Sequence, residues 1–268
     1  MLNFNEFILE RLGYSDDVEK LTTYVTDYIQ DNRIAEGIVE IDVHQFGIGI
    51  SKVIIEFIKD YEKEHNRYAS FNQYLSKYIL NESIIYLMFD IDNMTEGRLS
   101  HELFHGYDWV KNKGKEITGN EEVSIIAMFN HFAGDDIISE IIHIIYSLSS
   151  AEIKANFHEV VYEINHHDGD ITFEETEFYE DYIHYKYVDL EQKINELSED
   201  KLNEFISVFD LLKGLDHGDD GDLNIIKYSK VEQREFISKV IDIYDKQIKI
   251  YSKYISRLYS FKYFTSYI

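Results

Sequence analysis

A chain of 268 residues with 44% hydrophobic side chains, 22 Tyr and 17 Phe can bury a substantial core in one large or two small domains, which excludes a disordered chain. It contains no Cys, so disulfides and thiolate chemistry are excluded and any metal site must be built from His, Asp and Glu. The net charge of −25 argues against nucleic acid as the main partner, and no run of 18 apolar residues is present to make a transmembrane helix.

In chain order, residues 3–31 read as two helices. Phe4, Phe7, Ile8 and Leu12 mark the first, and Val18, Leu21, Tyr24, Val25 and Ile29 the second. The stretch from Ile38 partly alternates and ends near Gly47 and Gly49, as a strand does. Residues 50–61 fit a helix through Val53, Ile54, Phe57, Ile58 and Tyr61, and their β-branched content equally allows a second strand. Ser70–Leu80 reads as a short helix. Ile84–Phe89 is an apolar run of strand length, interrupted by the turn formers Asp90, Asp92 and Asn93.

The next helix is expected from Thr95 to about Lys113, with Asn93 as cap, Glu96 reaching back, and Gly114 as stop. Val123–Phe132 and Ile137–Leu148 are apolar enough for buried helices, with His131 and His143 expected in the core. A helix follows from about Ser149 to Ile164. Residues 165–170 and 216–222 are acidic loops whose spacing fails the EF-hand register. A helix over 190–212 and a last one over about 230–262 complete the chain. In the last, Ile237, Ile241, Tyr244, Ile248, Tyr251, Ile255 and Leu258 step by 4 and 3, a heptad seam suited to packing on the body or to self-association. Residues 227–268 carry nine Lys/Arg against four Asp/Glu, a net of +5, which leaves −30 on residues 1–226. A basic C-terminal segment of this kind can dock on an acidic body.

The most specific feature is His101-Glu102-Leu103-Phe104-His105 on the helix after the Ile84 strand. Residues four apart share a helix face, so His101 and His105 can offer two imidazoles to one zinc ion. Glu102 is then placed to take a proton from a water activated by the metal. The chemistry implied is metal-assisted hydrolysis of an amide. Catalytic zinc uses three protein ligands, and the third must come from a later helix, because Lys111 stands six residues beyond His105 where an extended motif has His. Glu121 (or Glu122) and Glu152 compete for that role. Each also fits a capping box, with Thr118 and Ser149 respectively. Glu121 opens the next helix and would fall near the far end of the motif helix, about 12 Å beyond His105. Two intervening helices can bring Glu152 back, and Ala155 beside it permits close helix packing, so Glu152 is the expected ligand.

A strand, then Ser100 to Asp108 with the motif, then Ser149-x-x-Glu152-Ile-x-Ala155 resembles gluzincin-type zinc metallopeptidases over residues 84–165. In particular it is similar to predicted peptidases of crAss-like and related bacteriophages. The resemblance implies His101, His105 and Glu152 as zinc ligands, Glu102 as general base, and a protein or peptide substrate. These families often carry Ala where Gly106 stands, and either residue is expected to allow close packing. His158, Tyr162 and His166 are the candidates for stabilising the oxyanion.

The expected fold is α+β and predominantly helical: a zincin-like core with a small sheet and a long C-terminal helix. Its expected division is N-terminal helices over 1–35, the metallopeptidase core over 36–165, and a helical region over 166–268 packed on that core. The absence of Pro and the wealth of Ile, Lys, Asn and Tyr fit AT-rich codons. The N-terminus has no basic region before an apolar one. These features point to the cytoplasm of a bacterial host or to a phage virion, without a membrane partner. The competing functional readings are a virion or assembly protein that uses a zincin fold as a binding module, and a metalloprotease toxin.

Overall fold

The structure, a computed structural model, describes residues 15–34, 36–60, 69–71, 83–90, 92–112, 128, 131–132, 134–147, 150–166, 171–176, 178–215 and 227–265. It is mostly helical with one small mixed sheet. The chain divides into two compact units, Met1–Ile117 with Lys154–Phe178 and Leu258–Ile268, and Thr118–Ile153 with Tyr179–Arg257.

The first unit is built on helix α1 (Asp16–Asp31) and a four-stranded sheet. In α1, Val18, Leu21, Thr22, Val25, Thr26 and Ile29 are buried, one face of a 3.6-residue repeat. Asp16, Asp17 and Glu19 complement the positive end of its dipole. Strand β1 (Gly37–Asp42) pairs antiparallel with β2 (Lys52–Ile58). Residues 52–58, which suited either element, are therefore a strand. Strand β2 pairs parallel with β4 (Ile84–Asp90), and β3 (Ala69–Phe71) adds antiparallel to the far edge of β4, giving the order β1-β2-β4-β3. Ser70 and Phe71 thus lie in a strand and not in the expected helix, the rest of which falls outside the described residues. Pairing with Leu87 and Met88 of β4 satisfies their backbone, and the Phe71 ring meets Trp109 at 5.8 Å. Long-range pairing overrides local propensity here.

Helix α2 (Glu96–Lys111) carries the motif and packs into the core shared by α1 and the sheet. Leu99 and Leu103 are fully buried, which contributes about 1.5–3 kcal/mol each. Its cap is Thr95, not Asn93: Thr95 Oγ1 accepts from the Arg98 N–H at 3.2 Å, while Asn93 Nδ2 donates to Asp90 Oδ1 at 2.9 Å. Asp90 claims the Asn93 side chain, so the cap falls two residues later, at Thr95, and the helix begins at Glu96. Gly106 faces β4. A Cβ there would lie 2.6 Å from Cγ2 of Ile85, so Gly and Ala are not interchangeable at this position as the resemblance implied.

In the second unit, α3 (Asp136–Ser147) buries Ile138, Ile141, Ile142 and Ile144. His143 and His131 are exposed rather than core residues, and His131 Nε2 contacts Glu204 Oε1 at 3.0 Å. Helix α4 (Ser150–His166) follows. Helix α5 (Tyr179–Tyr187), absent from the sequence reading, precedes α6 (Leu190–Asn195) and α7 (Glu199–Leu215). The single helix expected over 190–212 is therefore two. The chain turns at Glu196, whose N–H donates to the Gln192 and Lys193 carbonyls, and Ser198 Oγ accepts from the Lys201 N–H to restart it. Helix α8 (Lys230–Thr265) is the long C-terminal helix. Its buried positions are Gln233, Phe236 and Val240, while Ile237, Ile241, Tyr244 and Ile248 of the seam are half-buried. Phe205 meets both Phe132 and Phe236 in this core. Among the described residues, no helix is long and apolar enough to cross a membrane.

Candidate metal centre

Helices α2 and α4 pass antiparallel, because rising numbers on α2 meet falling numbers on α4. Glu163 lies over Gly97, Glu159 bonds His101, and His158 stacks on Phe104 at 4.4 Å between centroids. Small residues allow this approach. A Cβ on Gly97 would collide with the Glu163 side chain, and Ala155 is fully buried.

The crossing brings His101, His105 and Glu152 together. One ligand atom from each lies within 4.8 Å of the other two, a group that can hold a metal ion. The His101 and His105 Nε2 atoms are 3.1 Å apart. Two nitrogens bound at about 2.0–2.1 Å to a tetrahedral ion would be separated by about 3.3 Å, so the imidazoles already stand near ligand spacing. Glu152 is 5% exposed and Glu102 9%, while both histidines are partly open. A buried carboxylate beside two converging imidazoles suits a cation, since a shared positive charge offsets its desolvation. The donor set, two nitrogens and one oxygen, suits a divalent transition-metal ion.

One residue at the centre has no counterpart in the sequence reading. Glu159 Oε2 accepts from His101 Nδ1 at 3.1 Å, with both side chains largely buried. That bond fixes the tautomer that leaves the Nε2 lone pair free for a metal. Helical spacing puts Glu159, seven residues beyond Glu152, on the same face, but only the antiparallel crossing of the two helices brings it to His101.

Asp108 is seven residues beyond His101 and three beyond His105, on the same stripe of α2. Burial pushes its carboxyl above the usual carboxylate range, against the opposing pull of Lys154 and His105. Of the oxyanion candidates, His158 is 1% exposed and packed on Phe104. Tyr162 and His166 stack on one another and reach α1, where Tyr162 Oη lies 3.4 Å from Thr23 Oγ1 and His166 Nε2 lies 3.6 Å from Glu19 Oε1. The rival carboxylates Glu121 and Glu122, both acidic loops beyond His166, and Ser149 fall outside the described residues.

No protein-family model matches this chain, no curated protein matches it, and no solved structure matches it.

Proposed function

We propose that the protein is a zinc-dependent metallopeptidase of gluzincin type, with His101, His105 and Glu152 as ligands and Glu102 as general base. The observation that carries this reading is the convergence of His101, His105 and Glu152 from two antiparallel helices, with Glu102 buried on the same helix as the histidines. The α2 helix lying against a small mixed sheet supports a zincin-like core.

Zinc held there supplies Lewis acidity toward a scissile carbonyl and a nucleophile at neutral pH. His101 and His105 present Nε2 to it, and Glu159 holds the His101 ring in orientation. Glu152 adds one negative charge from α4. Glu102 accepts the proton from the attacking water and returns it to the leaving amine, so a single carboxylate serves both halves of the reaction.

The test is metal analysis of the purified chain with a peptidase assay of wild type and Glu102→Gln. One zinc per chain and hydrolysis in the wild type alone support the reading. A chain that binds zinc but cleaves nothing across a proteome-derived peptide library would leave the centre a structural one.

A further inference from the structure

We infer that the ligand of this centre is a cationic polypeptide segment, and that Asp108 selects a Lys or Arg side chain within two residues of the group at the metal. This inference rests on the metal site proposed above and names its substrate class.

Three observations carry it. First, the two helices that build the centre are acidic. Over Glu96–Lys111 and Ser150–His166, six carboxylates (Glu96, Glu102, Asp108, Glu152, Glu159, Glu163) face three cations (Arg98, Lys111, Lys154). The net of three negative charges exceeds what one divalent ion neutralises, so the loaded centre remains anionic. Second, residues 1–226 carry −30. A field of one sign raises the encounter rate of oppositely charged ligands by about 10–10³-fold, and salt suppresses it.

Third, Asp108 is placed to read that charge. It continues the stripe of His101 and His105 one turn further along α2. It is half-buried, and among the described residues it makes no ion pair; Asn112 Nδ2 donates to it at 3.4 Å. Lys154, His105 and Lys111 act on it only through space, without a hydrogen-bonded ion pair. A partly desolvated carboxylate without a paired cation gains when a ligand brings one. An extended polypeptide advances about 3.3 Å per residue, so a long basic side chain one or two residues from the metal spans the single helical turn between His105 and Asp108.

The experiment measures binding as well as cleavage. Three fluorescent decapeptides, identical except for a central Lys, norleucine or Glu, are titrated into zinc-loaded Glu102→Gln, and the same peptides are offered to the wild type. The inference expects the Lys peptide to bind at least tenfold tighter than the norleucine peptide at 20 mM salt, the Glu peptide to bind weakest, and the ratios to shrink at 500 mM. Asp108→Asn should lower the Lys-to-norleucine ratio several-fold, and Lys154→Met should raise it. Equal affinities for the three peptides overturn the inference. So does an Asp108→Asn variant that weakens zinc binding and keeps the ratio, which would make Asp108 a support for His105. Preferential binding of Lys without hydrolysis by the wild type upholds the inference and removes the peptidase reading. Hydrolysis without charge preference does the reverse.

Discussion

The imidazole of His101 is held from behind by Glu159, Nδ1 to Oε2 at 3.1 Å, across the two helices that carry the candidate metal ligands. A carboxylate on the distal nitrogen sets ring orientation and raises the basicity of the nitrogen that faces the ion. Glu159→Gln should therefore lower zinc affinity by about 10–100-fold while the fold persists. Competition with a chromophoric chelator reads the affinity, and circular dichroism reads the fold. Unchanged affinity would assign the bond to helix packing alone.

Removal of a ligand should do more. His101→Ala, His105→Ala and Glu152→Ala should each reduce zinc affinity by orders of magnitude, because an atom bound to the ion is lost. A Glu that only caps α4 would cost about 1 kcal/mol on substitution and leave zinc bound. Zinc titration beside thermal melting separates the outcomes. Zinc retained by Glu152→Ala would show that another Asp, Glu or His completes the site.

Glu102→Gln keeps the shape of the side chain and loses its capacity to accept a proton. Zinc content should be unchanged and hydrolysis should fall by about 10²–10⁴-fold or more. Residual activity at the wild-type level would falsify the assignment of Glu102 as general base.

Gly106→Ala should destabilise the chain, although Ala is the better helix former by about 1 kcal/mol. The new Cβ would stand 2.6 Å from Ile85 Cγ2, and β4 lies in the sheet core where little can move. Overpacking of this kind costs about 1–3 kcal/mol. Urea titration of the variant measures the balance; a midpoint above that of the wild type would show that α2 shifts freely on the sheet.

Tyr86 donates its hydroxyl to Glu56 Oε2 at 2.7 Å between β4 and β2. Burial first, then the Glu56 carboxylate, push its pKa from 10 up to about 12. The folded pKa is raised, so this contribution to stability is complete below pH 10 and is lost as pH climbs through 12. Tyr86→Phe should flatten the alkaline decline in stability relative to the wild type. Parallel curves for the two chains from pH 9 to 12 would exclude the contribution.

How much of this was legible in the sequence follows from the range of each interaction. Helix α1, strand β4, the motif helix and the bounds of α4 rest on 3.6-residue and strand-length patterns, which are local and can be read directly. So can the imidazole pair, since i and i+4 on a helix are always neighbours. The choice of Glu152 for the group with His101 and His105 followed from element count and helix length, and the crossing of α2 and α4 places it there. Four features were decided only by tertiary structure. Strand β3 exists because β4 offers it a ladder, and Thr95 caps α2 because Asp90 engages Asn93. Gly106 is required because Ile85 stands across from it, and Glu159 reaches His101 because the two helices run antiparallel. Each depends on residues distant in the chain or on a rival partner for one side chain, and no periodicity within a window carries that information. The sequence by itself determined which side chains can serve as metal ligands, since residue type and helical spacing are properties of the chain. The packing of α2 against the sheet and α4 decided where those side chains meet, since close approach depends on what each Gly and Ala finds opposite it.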